Sequence, residues 1–358
     1  MLDVKKLNFN EAGQGVMLRP LQKYLENKDV EEILINRPNQ VYVEKFGEMS
    51  RVDVPEFNRA YLNDFFKIVA IANHQTINKD NPLFYGSLQD GSRITLVAPP
   101  TAGDYTLSIR RQVVNDIPLE KYRDDNYYSD MKPLINLDND LELLNEVDLA
   151  LIKQYKNLIA KYGKCSKEEY SELSHQFIVS VVRARKNIVF SGGTSSGKTT
   201  YLNACIKAMH EDDRIITLED TREISITKQH NFVSLLAKSK GGGVEESPVE
   251  MKDLVKACLR LRPDRIIMGE IRSGEIMDFV RASNSGHNGS ITTVHADNPR
   301  MAFKAMASMY KHNNIVMSDD EIMDDLKSTV DVVVQLNKHE KGLRQASMIY
   351  YKYGNLNI

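Results

Sequence analysis

Ser191-Gly192-Gly193-Thr194-Ser195-Ser196-Gly197-Lys198-Thr199-Thr200 fits G-x-x-x-x-G-K-[ST], the pattern of a loop that cradles phosphates. Lys186-Asn187-Ile188-Val189-Phe190 before it is a β-prone apolar run. Tyr201 to Met209 after it carries apolar side chains at helical spacing. Strand, glycine loop and helix are the setting this loop needs. Its glycines let several backbone N–H groups curl around one phosphate chain, and the helix adds its positive end. Gly192, Gly193, Thr194, Ser195, Ser196, Gly197, Lys198, Thr199 and Thr200 are therefore the candidate nucleotide-binding set. Lys198 is placed to reach the β/γ-phosphates of ATP, and the Thr199 hydroxyl to ligate Mg²⁺.

The chain has 358 residues, enough for two domains with a core each. Its net charge of −2 gives no global attraction to nucleic acid. The three cysteines, Cys165, Cys205 and Cys258, are far apart and form no CxxC. That argues against zinc and against a disulfide framework, and suits a reducing compartment. Met1 to Asn8 lacks the apolar core of a signal peptide, and no run approaches about 18 apolar residues. These features predict a cytosolic chain, or one peripheral on a membrane surface.

Working outward from the loop, strands and helices alternate from Phe190 onward. Arg214–Leu218, Arg265–Met268 and Ser290–Val294 are β-prone, which predicts a mostly parallel sheet with helices on both faces. Lys238 to Ser247, with three consecutive glycines, reads as a flexible loop. Ser318-x-x-Glu321 is a capping box opening a helix toward Ser328. Val330–Leu336 and Ala346–Tyr351 read as late strands. Before the loop, Leu18–Leu25 and Tyr61–Asn73 read as helices and Val41–Glu44 as a strand. Arg93–Val97 and Tyr105–Arg110 alternate like paired strands. Residues 112–150 change character: charged and tyrosine-rich from Glu120 to Met131, acidic with leucines from Asp138 to Asp148. We therefore expect an N-terminal α+β domain at 1–111, a linker with short helices at 112–164, and the nucleotide-binding domain at 165–358.

A phosphate loop needs acids that hold the magnesium shell and orient water, and a polar sensor for the γ-phosphate. Candidates stand at the ends of the predicted strands, where α/β sheets place ligands. Leu218-Glu219-Asp220-Thr221-Arg222-Glu223 leaves one strand, and Glu219 is a candidate general base. Arg265-Ile266-Ile267-Met268-Gly269-Glu270 resembles a Walker B strand, with Gly269 where Asp is expected and Glu270 a candidate base and metal ligand. His295 ends the run Ser290 to Val294 and could donate a hydrogen bond to the γ-phosphate. Which of Glu219 and Glu270 is the base stays open.

Taken in order, the P-loop, Glu219–Glu223 as an Asp box, Gly269-Glu270-x-Arg272 as an atypical Walker B and Gly286-His287-x-Gly289-Ser290-x-x-Thr293-x-His295-Ala296 as a His box resemble the secretion-superfamily traffic ATPases. The closest resemblance is to the VirB-type ATPases of type IV secretion and conjugation, over nearly the whole chain. Ile33 to Pro38, Val41 to Glu44 and Gly91 to Arg110 look like that family's N-terminal domain. The resemblance implies an α/β fold, a RecA-like P-loop motor domain beside a mixed α+β N-terminal domain, and a homohexameric ring. It implies ATP and Mg²⁺ as cofactors and ATP hydrolysis between the domains, with Arg93 and Arg110 matching positions that reach the phosphates. Implied partners are other type IV secretion components at the cytoplasmic face of the bacterial inner membrane, with transient contact to exported DNA or protein. Type II secretion ATPases usually carry a four-cysteine zinc module, which three cysteines cannot build. Pilus-retraction ATPases carry an Ala-Ile-Arg-Asn-Leu-type motif that Met301–Lys311 does not match. Two rivals remain: a RecA-like nucleic-acid motor, disfavoured by the near-neutral charge, and a non-hydrolysing assembly scaffold, disfavoured by intact Lys198, Glu270 and His295.

Overall fold

In the computed structural model, residues 15–46, 48–88, 90–111, 144–220, 222–237, 249–313, 316–338 and 344–355 are described. Most of the 112–150 stretch and all of the glycine-rich Lys238–Ser247 segment lie outside them.

The N-terminal half builds a six-stranded sheet in the order β3-β2-β1-β6-β5-β4, every neighbour antiparallel. Its strands are β1 (Val30–Arg37), β2 (Gln40–Lys45), β3 (Glu48–Asp53), β4 (Leu83–Ser87), β5 (Arg93–Val97) and β6 (Thr106–Arg110). Helix α1 (Arg59–Ala72) starts at Asn58, whose side chain accepts the Tyr61 N–H, and buries Leu62, Phe65, Phe66, Val69 and Ala70. These side chains share one core with Ile33, Ile35, Val41, Leu107 and Ile109 of the sheet. The expected helix at Leu18–Leu25 is a 3₁₀ turn, Arg19–Leu21, followed by one α-turn, Gln22–Leu25. Pro20 sits at its start, where its missing N–H does no harm.

The second half follows the predicted alternation. Helices α2 (Glu146–Lys161) and α3 (Lys167–Arg183) lead into β7 (Ile188–Gly192), then α4 (Lys198–Ile206), β8 (Ile215–Glu219), β9 (Phe232–Leu236), α5 (Met251–Arg260) and β10 (Arg265–Met268). Helix α6 (Glu275–Asn284), β11 (Ile291–Val294), α7 (Pro299–Tyr310), α8 (Asp319–Thr329), β12 (Val332–Lys338) and β13 (Arg344–Tyr351) complete it. The sheet order is β13-β12-β7-β11-β10-β8-β9, parallel throughout except for antiparallel β13. One face is covered by α5 to α8 through Leu254, Phe279, Met306 and Leu326. The other is covered by α2, α3 and α4 through Leu151, Phe177 and Leu202. This is a two-sided, RecA-like α/β motor beside a mixed α+β N-terminal domain. Helix α2 lies in the stretch read as linker from sequence, yet its Leu151, Ile152 and Leu158 share the core of the motor sheet.

The two sheets meet at β8 and β9. Arg214, fully buried, donates from Nη1 to Asn36 Oδ1 at 2.8 Å, and Asn36 Nδ2 donates to Asn231 Oδ1 at 2.8 Å. Tyr42 donates its hydroxyl to the His230 carbonyl at 2.9 Å, and Arg262 forks onto Glu44. The Leu236 N–H donates to the Thr101 carbonyl at 2.7 Å, beside an antiparallel bridge between Ala102 and Leu235.

Candidate active site

Strand β7, buried at every residue, delivers the chain to Gly192. A β-carbon at Gly192 would overlap the Leu336 carbonyl of β12 and the Ser196 hydroxyl, so only glycine lets the loop turn there. Gly197, at φ +90°, opens α4. Lys198 is nearly buried; its Nζ donates to the carbonyls of Gly192 at 2.8 Å and Gly193 at 3.0 Å. Burial lowers its pKa and the Glu270 carboxylate opposes that. Bonded to loop carbonyls, the ammonium is held inside the curl until a phosphate competes for it.

Three strand ends face this loop from one side of β7, in the order β11, β10, β8. From β11, His295 places Nδ1 3.5 Å from Lys198 Nζ and Nε2 3.0 Å from Glu270 Oε1. After β10, Glu270 also accepts from Arg272 Nη2 at 2.7 Å, and the same guanidinium bonds Asp220. The Thr293 hydroxyl donates to the Gly269 carbonyl at 2.8 Å and fixes the end of β10. The Gly-Glu sequence has a physical reason here. A β-carbon at Gly269 would lie 3.5 Å from Glu219 Cγ, so aspartate would set another carboxylate against Glu219.

Glu219, at the end of β8, points one oxygen at its own loop. Oε1 accepts the N–H groups of Glu223 at 2.8 Å and Ile224 at 2.7 Å. Burial holds its pKa above the ordinary carboxylate range, against those two amides and Arg222. The folded-back loop brings Glu223 to the Thr199 hydroxyl, which donates to Glu223 Oε2 at 2.9 Å. Asn203 of α4 donates to the Glu223 carbonyl and accepts from the Ser225 N–H, both at 3.0 Å.

Together these residues line a cleft of about 400 Å³, with Thr194 to Thr200 as floor and Glu219, Asp220, Glu223, Glu270, Arg272, Thr293, His295 and Arg344 around it. That volume suits a small-molecule ligand. Thr199, Glu223, Asp220 and Glu270 supply hard oxygens of the kind Mg²⁺ takes alongside phosphate. The structure brings the loop, Glu219, Glu270 and His295, all singled out from sequence, to one cleft. It assigned no role to Glu223, Asp220, Arg272 or Arg344. The first three stand inside quoted motifs, but only three-dimensional register shows which carboxylate meets Thr199. Arg93 and Arg110 do not line the cleft. They are cross-strand partners on β5 and β6, and Arg110 Nε lies 3.7 Å from Glu32.

Residues 147–344 match the family described as Type II/IV secretion system protein. The chain is 32% identical over 350 residues to the type IV secretion system protein VirB11 of Bartonella henselae, covering 95% of this chain and 94% of that one. It is 30% identical over 331 residues to the VirB11 protein of Agrobacterium fabrum, covering 90% and 89%. Its fold superposes on the VirB11 ATPase of the Brucella suis type IV secretion system, solved in complex with sulphate. The TM-score is 0.81 at 28% identity, over 96% of this chain and 95% of that one.

Proposed function

This chain belongs to the VirB-type traffic ATPases of type IV secretion, and on that footing we propose that it hydrolyses ATP in the cleft described above to drive export or pilus assembly. The observation that carries the reading is the meeting of Lys198, in the phosphate loop, with His295 and Glu270 from two neighbouring strand ends, at 3.5 Å and 3.0 Å. Lys198 and the N-terminus of α4 bind the β/γ-phosphates. His295 leaves Glu270 and donates to the γ-phosphate, while Glu270 accepts a proton from the attacking water. Glu219 shares its carboxylate with two loop amides, and its proposed part is to hold Glu223 and Asp220 in place. Mg²⁺, when bound by Thr199 with Glu270, supplies charge neutralisation to the phosphates.

We take the working form to be a homohexameric ring, peripheral at the cytoplasmic face of the inner membrane. In it the N-terminal domains, 1–111, move against the motors as nucleotide turns over. Family membership supports this, as do the polar bonds of Asn36, Tyr42 and Arg214 across the junction, which can be remade in another register. Phosphate release by the purified protein, alongside light scattering with and without Mg-ATP, tests both parts. A monomer at tens of micromolar protein with Mg-ATP, or no phosphate above buffer, refutes the motor.

A further inference from the structure

One lysine and two arginines line the cleft, and two of the three are committed. Lys198 is bonded to loop carbonyls and Arg272 to Glu270 and Asp220. The third, Arg344, comes from β13, 149 positions from the loop residue it touches. Its Nε donates to the Ser195 carbonyl at 3.2 Å, and its Cδ stands 3.1 Å from where a β-carbon on Gly197 would be. Its two terminal nitrogens have no partner among the described residues, and the side chain lines the cleft.

Sheet order decides which part of a nucleotide this fork faces. Glu219, Glu270 and His295 reach the loop from β8, β10 and β11, all on one side of β7. Arg344 arrives from the opposite side, over β12, whose Leu336 pairs with Gly192 and whose Lys338 pairs with Arg344 itself. The γ-phosphate belongs with Lys198, His295 and Glu270. A guanidinium on the other flank, beside the start of α4, meets the part of the chain that precedes it.

We propose that Arg344 is a nucleotide-binding residue that closes the phosphate loop from outside and grips the diphosphate common to ATP and ADP. This rests on the ATPase reading above. Nε stays on Ser195, keeping the loop's shape, while the terminal nitrogens donate to phosphate oxygens in the bidentate manner arginine favours. A contact to the shared diphosphate retains product as firmly as substrate. Arg344 thus sets how tightly ADP is held between cycles, and does not distinguish the two nucleotides.

Calorimetry on the full chain with Mg-ADP and with a magnesium-bound, non-hydrolysable ATP analogue tests this. Arg344→Ala is expected to weaken both by the same factor, about tenfold or more, and to flatten the salt dependence of ADP binding. Arg344→Gln retains a donor for Ser195 without the charge and is expected to lose as much. It also serves if the alanine variant does not fold. Arg344→Lys recovers part of the loss. Affinities within twofold of wild type, or a loss confined to the ATP analogue, overturn the proposal. So does full affinity in Arg344→Gln, which would leave only a loop-shaping role. A wild-type chain that binds neither nucleotide overturns the ATPase reading with it.

Discussion

Glu270 and His295, 25 positions apart in sequence, face each other across neighbouring strands with Oε1 and Nε2 3.0 Å apart. The other carboxylate oxygen is bonded to Arg272, and the other ring nitrogen stands beside Lys198. A guanidinium, a carboxylate, an imidazole and an ammonium thus form one continuous chain along the cleft. On the proposed reading, a triphosphate entering it is expected to compete at the ammonium and imidazole and so release the carboxylate for water.

Glu270→Gln is expected to leave nucleotide affinity near wild type and to lower turnover at least about a hundredfold, because an amide of the same size cannot take a proton. Glu219→Gln is expected to lose less, since Oε1 of the amide still accepts the Glu223 and Ile224 N–H groups. Steady-state phosphate release on both variants checks the order. A deeper loss at Glu219 would make it the base.

Lys198→Ala removes the ammonium held by the Gly192 and Gly193 carbonyls. Hydrolysis is expected to fall to background and ATP binding to weaken about a hundredfold or more, with melting temperature nearly unchanged. Turnover equal to wild type would sink the loop's assignment.

Burial raises the Glu32 carboxyl from an ordinary 4.5 to about 7; Glu44 adds to this, while Arg262, Arg110 and Arg214 oppose it. The folded chain therefore holds a proton there that the unfolded chain has released between about pH 4.5 and 7. This contribution to stability is complete below pH 4.5 and is lost as pH rises through 7, by up to about 3 kcal/mol. Glu32→Gln is expected to melt higher than wild type at pH 8 and alongside it near pH 5. Parallel melting profiles from pH 5 to 8 would show the assignment to be wrong.

Arg93 and Arg110 stand outside the cleft in the arrangement described, so their expected part at the γ-phosphate calls for a domain movement or a neighbouring subunit. We expect Arg93→Ala and Arg110→Ala to lower turnover while the oligomer persists, and to weaken ATP more than ADP. Unaltered turnover together with unaltered affinities would make them solvent-facing sheet residues. Arg110 is the more informative, because its 3.7 Å contact with Glu32 ties it to the buried domain junction.

The motor was legible wherever the signal is local. The phosphate loop, the capping box at Ser318 and the β-prone runs at 214–218 and 265–268 announce themselves within about ten residues, and each forms as read. Strand β9 was not recognised: Phe232–Leu236 alternates only weakly, and its pairing with β8 is decided by the sheet. Helix α2 falls in the stretch expected to be a linker with short helices; what the spacing did not show is that Leu151, Ile152 and Leu158 reach the core of the motor sheet. The bonds of Glu223, Arg272 and Arg344 depend on strand register far along the chain, which no spacing rule carries. Arg214 and Asn36, 178 positions apart, look like ordinary polar residues until the junction buries them.

The backbone bond from Leu236 to the Thr101 carbonyl, with the Ala102–Leu235 bridge, has a consequence for solubility. Strand β9 is the last strand of its sheet, and an open last strand offers a row of donors and acceptors to any other extended chain. Here the neighbouring domain covers the end of that row, at Leu235 and Leu236. A motor fragment that starts after residue 111 exposes it, and such a fragment is expected to aggregate through strand pairing where the intact chain stays dispersed. The N-terminal domain is thus also an intramolecular guard against misassembly.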